Sequence, residues 1–253
     1  MSFETFGTCL KKIPKEICID FSGFCEPWMN PHCTEMLTHA YDQGFDVGVF
    51  TTAAWLTFQD IDQIKHIGFK RFVVHLPDND NLTNMSVDVR YLETIGKLLE
   101  SDIVNLSFMT IGNLHENLAN TFDIVVREDP VIDRAGNVTG LPGLRRGKKM
   151  KGKIRCVSCT DDLNHNVLLP NGDVALCCMD YGLQHIVGNL VSEKYLSIFN
   201  GVEYLKVKRG LIDDSLDILC RYCSNAKRKG LWGHLSRRFS SGTSGEVFLG
   251  YTS

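Results

Sequence analysis

The chain has 253 residues, 43% apolar and 23% charged, a composition that can bury a core and excludes a collagen-like or disordered protein. Its formal charge of −3 argues against a surface built throughout for nucleic acid. No apolar run reaches the roughly 20 residues of a membrane span, and the opening MSFETFGTCLKKIPKE lacks a secretory apolar stretch, so the sequence predicts a cytoplasmic protein without membrane contact.

In chain order, five short stretches rich in β-branched or aromatic residues read as strands: ICIDFS (17–22), FDVGVFT (45–51), FKRFVVHLP (69–77), IVNLSFMTI (103–111) and TFDIVV (121–126). Helical spacing fills the gaps between them. In PHCTEMLTHAYDQG, Met36, Leu37, Ala40 and Tyr41 share a face and Gly44 suits the exit. Ile61, Ile64 and Ile67 recur before Gly68, and SVDVRYLETIGKLLE supplies the next crossover. Strand and helix in alternation predict βα units and a parallel sheet or partial barrel.

Near Pro130 the pattern breaks. The stretch from Asp129 to Arg155 is rich in Gly and Pro and holds seven Lys or Arg from Arg145 onward. It reads as a solvated linker, with a phosphate contact as the sharper alternative. Beyond it, HNVLLPNGDVALCC reads as a hairpin turning at Pro-Asn-Gly-Asp, which would send the adjacent Cys177 and Cys178 to opposite faces. VSEKYLSIFNGVEYLKVKRGL reads as helix, with Ser192 as N-cap and a break near Gly201. The last residues read as a loose tail.

The ten cysteines are unevenly placed, and in a reducing compartment clustered thiols point to metal or to chemistry. Cys156 and Cys159 form one CxxC, Cys220 and Cys223 another, and Cys177 lies between them. Two residues between cysteines let both thiolates reach one metal from a single turn. Four thiolates suit either structural Zn²⁺ or an iron–sulfur cluster. A zinc ribbon would use both CxxC pairs and leave Cys177 out. HENLA (115–119) lacks the second histidine of a HExxH zinc site, and His165 and His185 read as ordinary polar residues flanking the hairpin.

The run Cys159-x12-Gly172-x4-Cys177, followed by Cys220-x2-Cys223, resembles the auxiliary-cluster domain of radical S-adenosylmethionine (radical SAM) enzymes, in the short twitch form of the SPASM domain. That resemblance implies one [4Fe–4S] cluster held by Cys159, Cys177, Cys220 and Cys223, with Cys156 as the substitute for Cys159. The stretch IDFSGFCEPWMNP (19–31) resembles the strand and loop of the family's GGE motif, with Cys25 in place of the second Gly. By the same resemblance Gly23, Glu26, Thr51 and His75 would contact S-adenosylmethionine, Glu26 taking its ammonium.

The resemblance implies an α/β fold: an incomplete (β/α) radical-SAM-type barrel missing its first strand (1–135), a basic linker (136–155), a hairpin-and-helix twitch domain (156–235) and a tail (236–253). It also implies radical modification of a small-molecule, sugar or peptide substrate. The family's CxxxCxxC has no counterpart here, and residues 1 to 16 resemble only the first helix. The expectation is a truncated, split or degenerate member, with a partner chain as one source of the missing segment. A non-enzymatic, Zn-stabilised binding protein with a basic contact surface is the alternative.

Overall fold

From the first strand, β1 (Cys18–Phe21), Ile19 and Phe21 point one way and Cys18 and Asp20 the other. That alternation organises the first half of the chain. The computed structural model describes residues 1–140, 144, 147–159 and 162–229, and the backbone of Glu246–Leu249. Strands β2 (Val47–Thr51), β3 (Arg71–Leu76), β4 (Leu106–Ile111) and β5 (Val126–Asp129) follow β1 in parallel, each paired with its predecessor. Five parallel strands in sequence order is the arrangement that repeated βα units produce.

The helices are α1 (Phe3–Leu10), α2 (Cys33–Asp42), α3 (Phe58–Ile64), α4 (Val89–Leu99) and α5 (Glu116–Thr121). Their buried residues, among them Phe6, Met36, Leu37, Ile61, Ile95 and Leu118, join Ile19, Phe21, Val47, Val49, Phe72, Val74 and Phe108 in one core. All five helices therefore cover one face, the layering of a barrel segment. The other face carries Asp20, Gly48, Arg71, His75, Met109 and Arg127, as the ladder registers show. Local chemistry starts and stops these helices. Thr57 and Asp60 cap α3 reciprocally, Asp88 caps α4, and Gly44 leaves α2 at φ +82.

The fifth strand begins later than the sequence indicates. Thr121 closes α5 and the ladder starts only at Val126, while Phe122 and Ile124 pack partly buried against the core. Those residues are apolar because they cover the core edge, not because they pair.

The second half is built of shorter pieces. β7 (His165–Leu168), β8 (Asp173–Ala175) and β9 (Ile186–Asn189) form an antiparallel meander. Gly172 turns the hairpin at φ +88, where a Cβ would lie 2.4 Å from Val191 Cγ2, so the turn requires glycine. β6 (Ile154–Cys156) pairs with β10 (Ala226–Arg228) as a separate ribbon. The helical stretch is two helices, α6 (Tyr195–Ile198) and α7 (Val202–Gly210), broken at Gly201 as expected. Ser192 is not the cap: its N–H donates to Asn189 Oδ1 (3.2 Å), and Lys194 precedes α6.

Glu246–Leu249, within the stretch read as tail, is a strand, β11, parallel to both β1 and β7. It joins the parallel strands to the meander in the order β5-β4-β3-β2-β1-β11-β7-β8-β9. The edge of β1, where a preceding barrel strand would lie, is thus paired. No helix among the described residues is long and apolar enough to cross a membrane.

Candidate metal centre

Three segments bring cysteines together. The β6–β10 ribbon sets Ala226 opposite Cys156, so the CVSC turn leaving β6 and the CRYC turn entering β10 lie side by side. The hairpin β7–β8 delivers Cys177. Cys177 and Cys178 lie just past β8 rather than within it, yet their environments differ. Cys177 is 6% exposed in the main core, while Cys178 is half-buried between that core and the small cluster of Val167, Leu169 and Ala175.

Cys159, Cys177, Cys220 and Cys223 are all buried, and Cys156 is half-buried. The Cys159 thiol is hydrogen-bonded to both Cys156 and Cys177, and those bonds, with burial behind them, hold its proton far above the ordinary thiol range. The Cys156–Cys159 bond is the main cause that lowers Cys156 to about 6, and the separate Cys177–Cys159 bond is the main cause that lowers Cys177. Burial, then the charge of Cys177, pushes Cys220 well up, and burial takes Cys223 to about 12. Thiols so close cannot all ionise without a positive charge among them, which a metal centre supplies.

Backbone amides already face the sulfurs. Cys159 N–H donates to Cys156 Sγ (3.1 Å) and Asn225 N–H to Cys223 Sγ (3.4 Å). Such donors stabilise thiolate charge and tune a bound centre. Four buried thiols with amides aimed at their sulfurs are the donor chemistry of an iron–sulfur or zinc centre. Among the described residues, no group of three His, Cys, Asp or Glu stands in position to hold a single metal ion. What the fold brings together is a group of five thiols, with Cys156 inside it beside the expected four.

Two supports around the thiols have no periodic signal in the sequence. Asp180, fully buried, accepts the N–H groups of Gln184 and His185 (both 2.8 Å) and so shapes the loop after Cys178. Arg221, also fully buried, lies between Cys220 and Cys223. Its Nη1 donates to the carbonyls of Met150 (2.7 Å) and Gly152 (3.0 Å), while Nε and Nη2 have no hydrogen-bond partner. The basic linker is partly tied down here as well, by Lys149 to Asp217 (3.4 Å) and Gly152 N–H to Asp214 (2.7 Å). Arg145, Arg146 and Trp232 lie outside the described residues.

The residues singled out for S-adenosylmethionine sit at the C-terminal ends of β1 to β3. Gly23 takes φ +129 in the loop after β1. Glu26 Oε1 accepts from Thr51 Oγ1 (2.6 Å) and Trp28 N–H (3.3 Å); Oε2 accepts from Thr52 N–H and Oγ1 (both 2.6 Å). A carboxylate has about four lone-pair sites, so an ammonium would have to displace one of these donors. As placed, Glu26 clasps the β1 and β2 loops and does not fit an ammonium. His75 lies two strands from Glu26 on the helix-free face, its Nε2 buried without a hydrogen bond. Cavities flank the clasp. One of about 410 Å³ is lined by Glu26, Thr52, Trp55 and Tyr91; another of about 720 Å³, by Phe24, Cys25, His32 and Tyr181.

Residues 159–224 match the model of SPASM, an iron–sulfur cluster-binding domain. The cysteine-rich region matches the SPASM family. Over most of the chain, the fold is similar to that of BtrN. BtrN in complex with AdoMet and 2-DOIA aligns with a TM-score of 0.55 at 15% identity, covering 89% of this chain and 80% of that one. Selenomethionine BtrN in an open conformation gives 0.53 at 14%, with the same coverage. No curated protein sequence matches the chain. The matched stretch starts at Cys159 and leaves Cys156 just outside.

Proposed function

We propose that this chain binds one [4Fe–4S] cluster through Cys159, Cys177, Cys220 and Cys223, as the auxiliary centre of a radical SAM-like protein. The observation that carries the proposal is the convergence of the two CxxC turns and Cys177 into one interacting thiol group, within a stretch matching an iron–sulfur domain. A bound cluster supplies one-electron redox chemistry or an iron site for anchoring a substrate. The chain's own part is to bury the four thiolates from water, to aim amides at their sulfurs and to hold the three segments in register.

Glu26 is engaged with Thr51 and Thr52, which leaves its carboxylate without a free site for the ammonium of S-adenosylmethionine. BtrN is solved in complex with AdoMet and 2-DOIA, and by that likeness a small-molecule substrate is the reading favoured for this chain. A partner chain supplying a further barrel segment would have to meet a β1 edge that β11 already pairs.

One observation favours a second reading, a structural zinc. The β6–β10 ribbon juxtaposes the two CxxC turns as a zinc ribbon would. Anaerobic reconstitution with metal and sulfide analysis separates the two. The cluster reading expects about four iron and four sulfide per chain, lost in Cys177→Ala and kept in Cys178→Ala. One zinc, no sulfide and full retention in Cys177→Ala would overturn it in favour of the ribbon.

A further inference from the structure

His185 is 3% exposed and touches both halves of the thiol group's support. Its Nε2 accepts the backbone N–H of Leu219 at 3.2 Å, and its Nδ1 lies 2.7 Å from Glu203 Oε1. A backbone amide only donates, so Nε2 carries the lone pair and Nδ1 the proton, which goes to the Glu203 carboxylate. Glu203 is itself held by Lys206 Nζ at 3.0 and 3.3 Å. The tautomer and the ring plane are thus fixed from the protein surface inward.

Leu219 opens the short 3₁₀ turn Leu219–Arg221 that carries Cys220, and Ile218 before it gives that turn no side-chain cap. The first N–H of a helical turn has no partner within the turn. His185 supplies one from a different segment. The same residue's carbonyl accepts the N–H of Leu176 (3.0 Å), immediately before Cys177. Its own N–H donates to Asp180, whose N–H in turn donates to the Cys177 carbonyl (3.0 Å). One buried histidine therefore bonds to the residue preceding each of two cysteines on different segments.

We infer that His185, oriented by Glu203, is the positioning residue that holds the Cys220–Cys223 turn against the Cys177 loop; its bearing on metal retention rests on the cluster reading above. With the imidazole acceptor removed, the Leu219 amide is buried without a partner, and the turn must move to satisfy it. The thiolates then lose their mutual placement.

Two substitutions separate positioning from packing. His185→Gln keeps an acceptor within reach of Leu219, while His185→Leu fills the same space without one. Two readouts are taken on protein whose parallel-sheet amides remain protected: exchange of the Leu219 amide by NMR in metal-free protein, and the rate of iron loss to a ferrous chelator after reconstitution. Outer-shell partners of metal ligands typically contribute roughly 10- to 100-fold in retention. His185→Leu is expected to speed both by an amount in that range, His185→Gln by much less, and Glu203→Gln, which frees the ring plane, by an intermediate amount. Equal losses in the Leu and Gln variants, or none in either, would overturn the inference. If the wild-type chain takes up no iron, the cluster reading fails while the Leu219 exchange still decides the role of His185.

Discussion

Between Cys18 and Asp129, a residue's place follows from its parity along a strand: Phe72 and Val74 go to the helices, and Arg71 and His75 to the open face. Between Ile154 and Arg228 the strands are three or four residues long, and hydrogen bonds from distant side chains do the placing instead. Asp180, His185 and Arg221 each bond to backbone groups of loops that carry cysteines or adjoin them. The first half is specified chiefly by its apolar stripe. The second half depends on individual polar contacts, which suits a region whose task is to aim thiolates.

The largest effect that would test this contrast is in the sheet. Asp20, fully buried, forms a two-pronged ion pair with Arg71, through Nε (2.9 Å) and Nη2, across Gly48 of the intervening strand. A Cβ at Gly48 would stand 2.0 Å from Asp20 Oδ1. Gly48→Ala should therefore break the pair and cost about 3 kcal/mol, the lower end for separating a buried pair because Arg71 keeps some solvent. Denaturant unfolding reads the loss, and iron bound per folded chain should not change. A loss below about 1 kcal/mol would mean that the sheet absorbs polar misfits better than its buried pair implies.

An effect of comparable size depends on pH. Burial, and after it the charge of Arg134, lowers His75 to about 4 from an ordinary value of 6.5. The unfolded chain then binds a proton between those values that the folded chain refuses. The contribution of His75 is complete above pH 6.5 and is lost as pH falls toward 4, up to about 3 kcal/mol in all. His75→Gln should flatten the stability curve across that window. A curve of unchanged slope would show that the imidazole takes up its proton in the folded state at little cost.

The same contrast explains what could be read from the sequence. Strands β1 to β4 and helices α2 to α4 are legible because their apolar residues recur with the period of the element. Helix α5 is not, because Leu118 is its only buried residue and one residue has no period. The CxxC spacing marks the thiols, but not that Cys156 would join the group, since its proximity to Cys177 is made by a hairpin from another segment. His185 reads in the sequence as an ordinary polar residue, for its partners Glu203 and Leu219 are distant along the chain. The clasp on Glu26 was likewise hidden: Thr51 and Thr52 end a different strand, and only the parallel register of β1 and β2 brings them to it.

The smallest expected effect tests whether the halves are mechanically separate. Lys12, just after α1, extends its Nζ to the carbonyls of Leu190 (2.6 Å) and Val191 (2.7 Å), just past β9 at the far edge of the sheet. Helix α1 packs on β1 through Phe6 and Phe21, with ring centroids 5.9 Å apart, so this one ammonium ties the first strand's helix to the last strand's exit. Bonds from a charged donor in a partly solvated site contribute about 1 kcal/mol. Lys12→Met keeps the aliphatic stem and removes only the donor. Trp28 and Trp55 report on the first half, and cluster absorbance on the second. If the tether couples the halves, their unfolding midpoints should coincide in the wild-type chain and separate in the variant, the second half melting first. If they stay coincident, the shared apolar core that runs from Phe6 to Ala226 is what makes the two halves unfold as one.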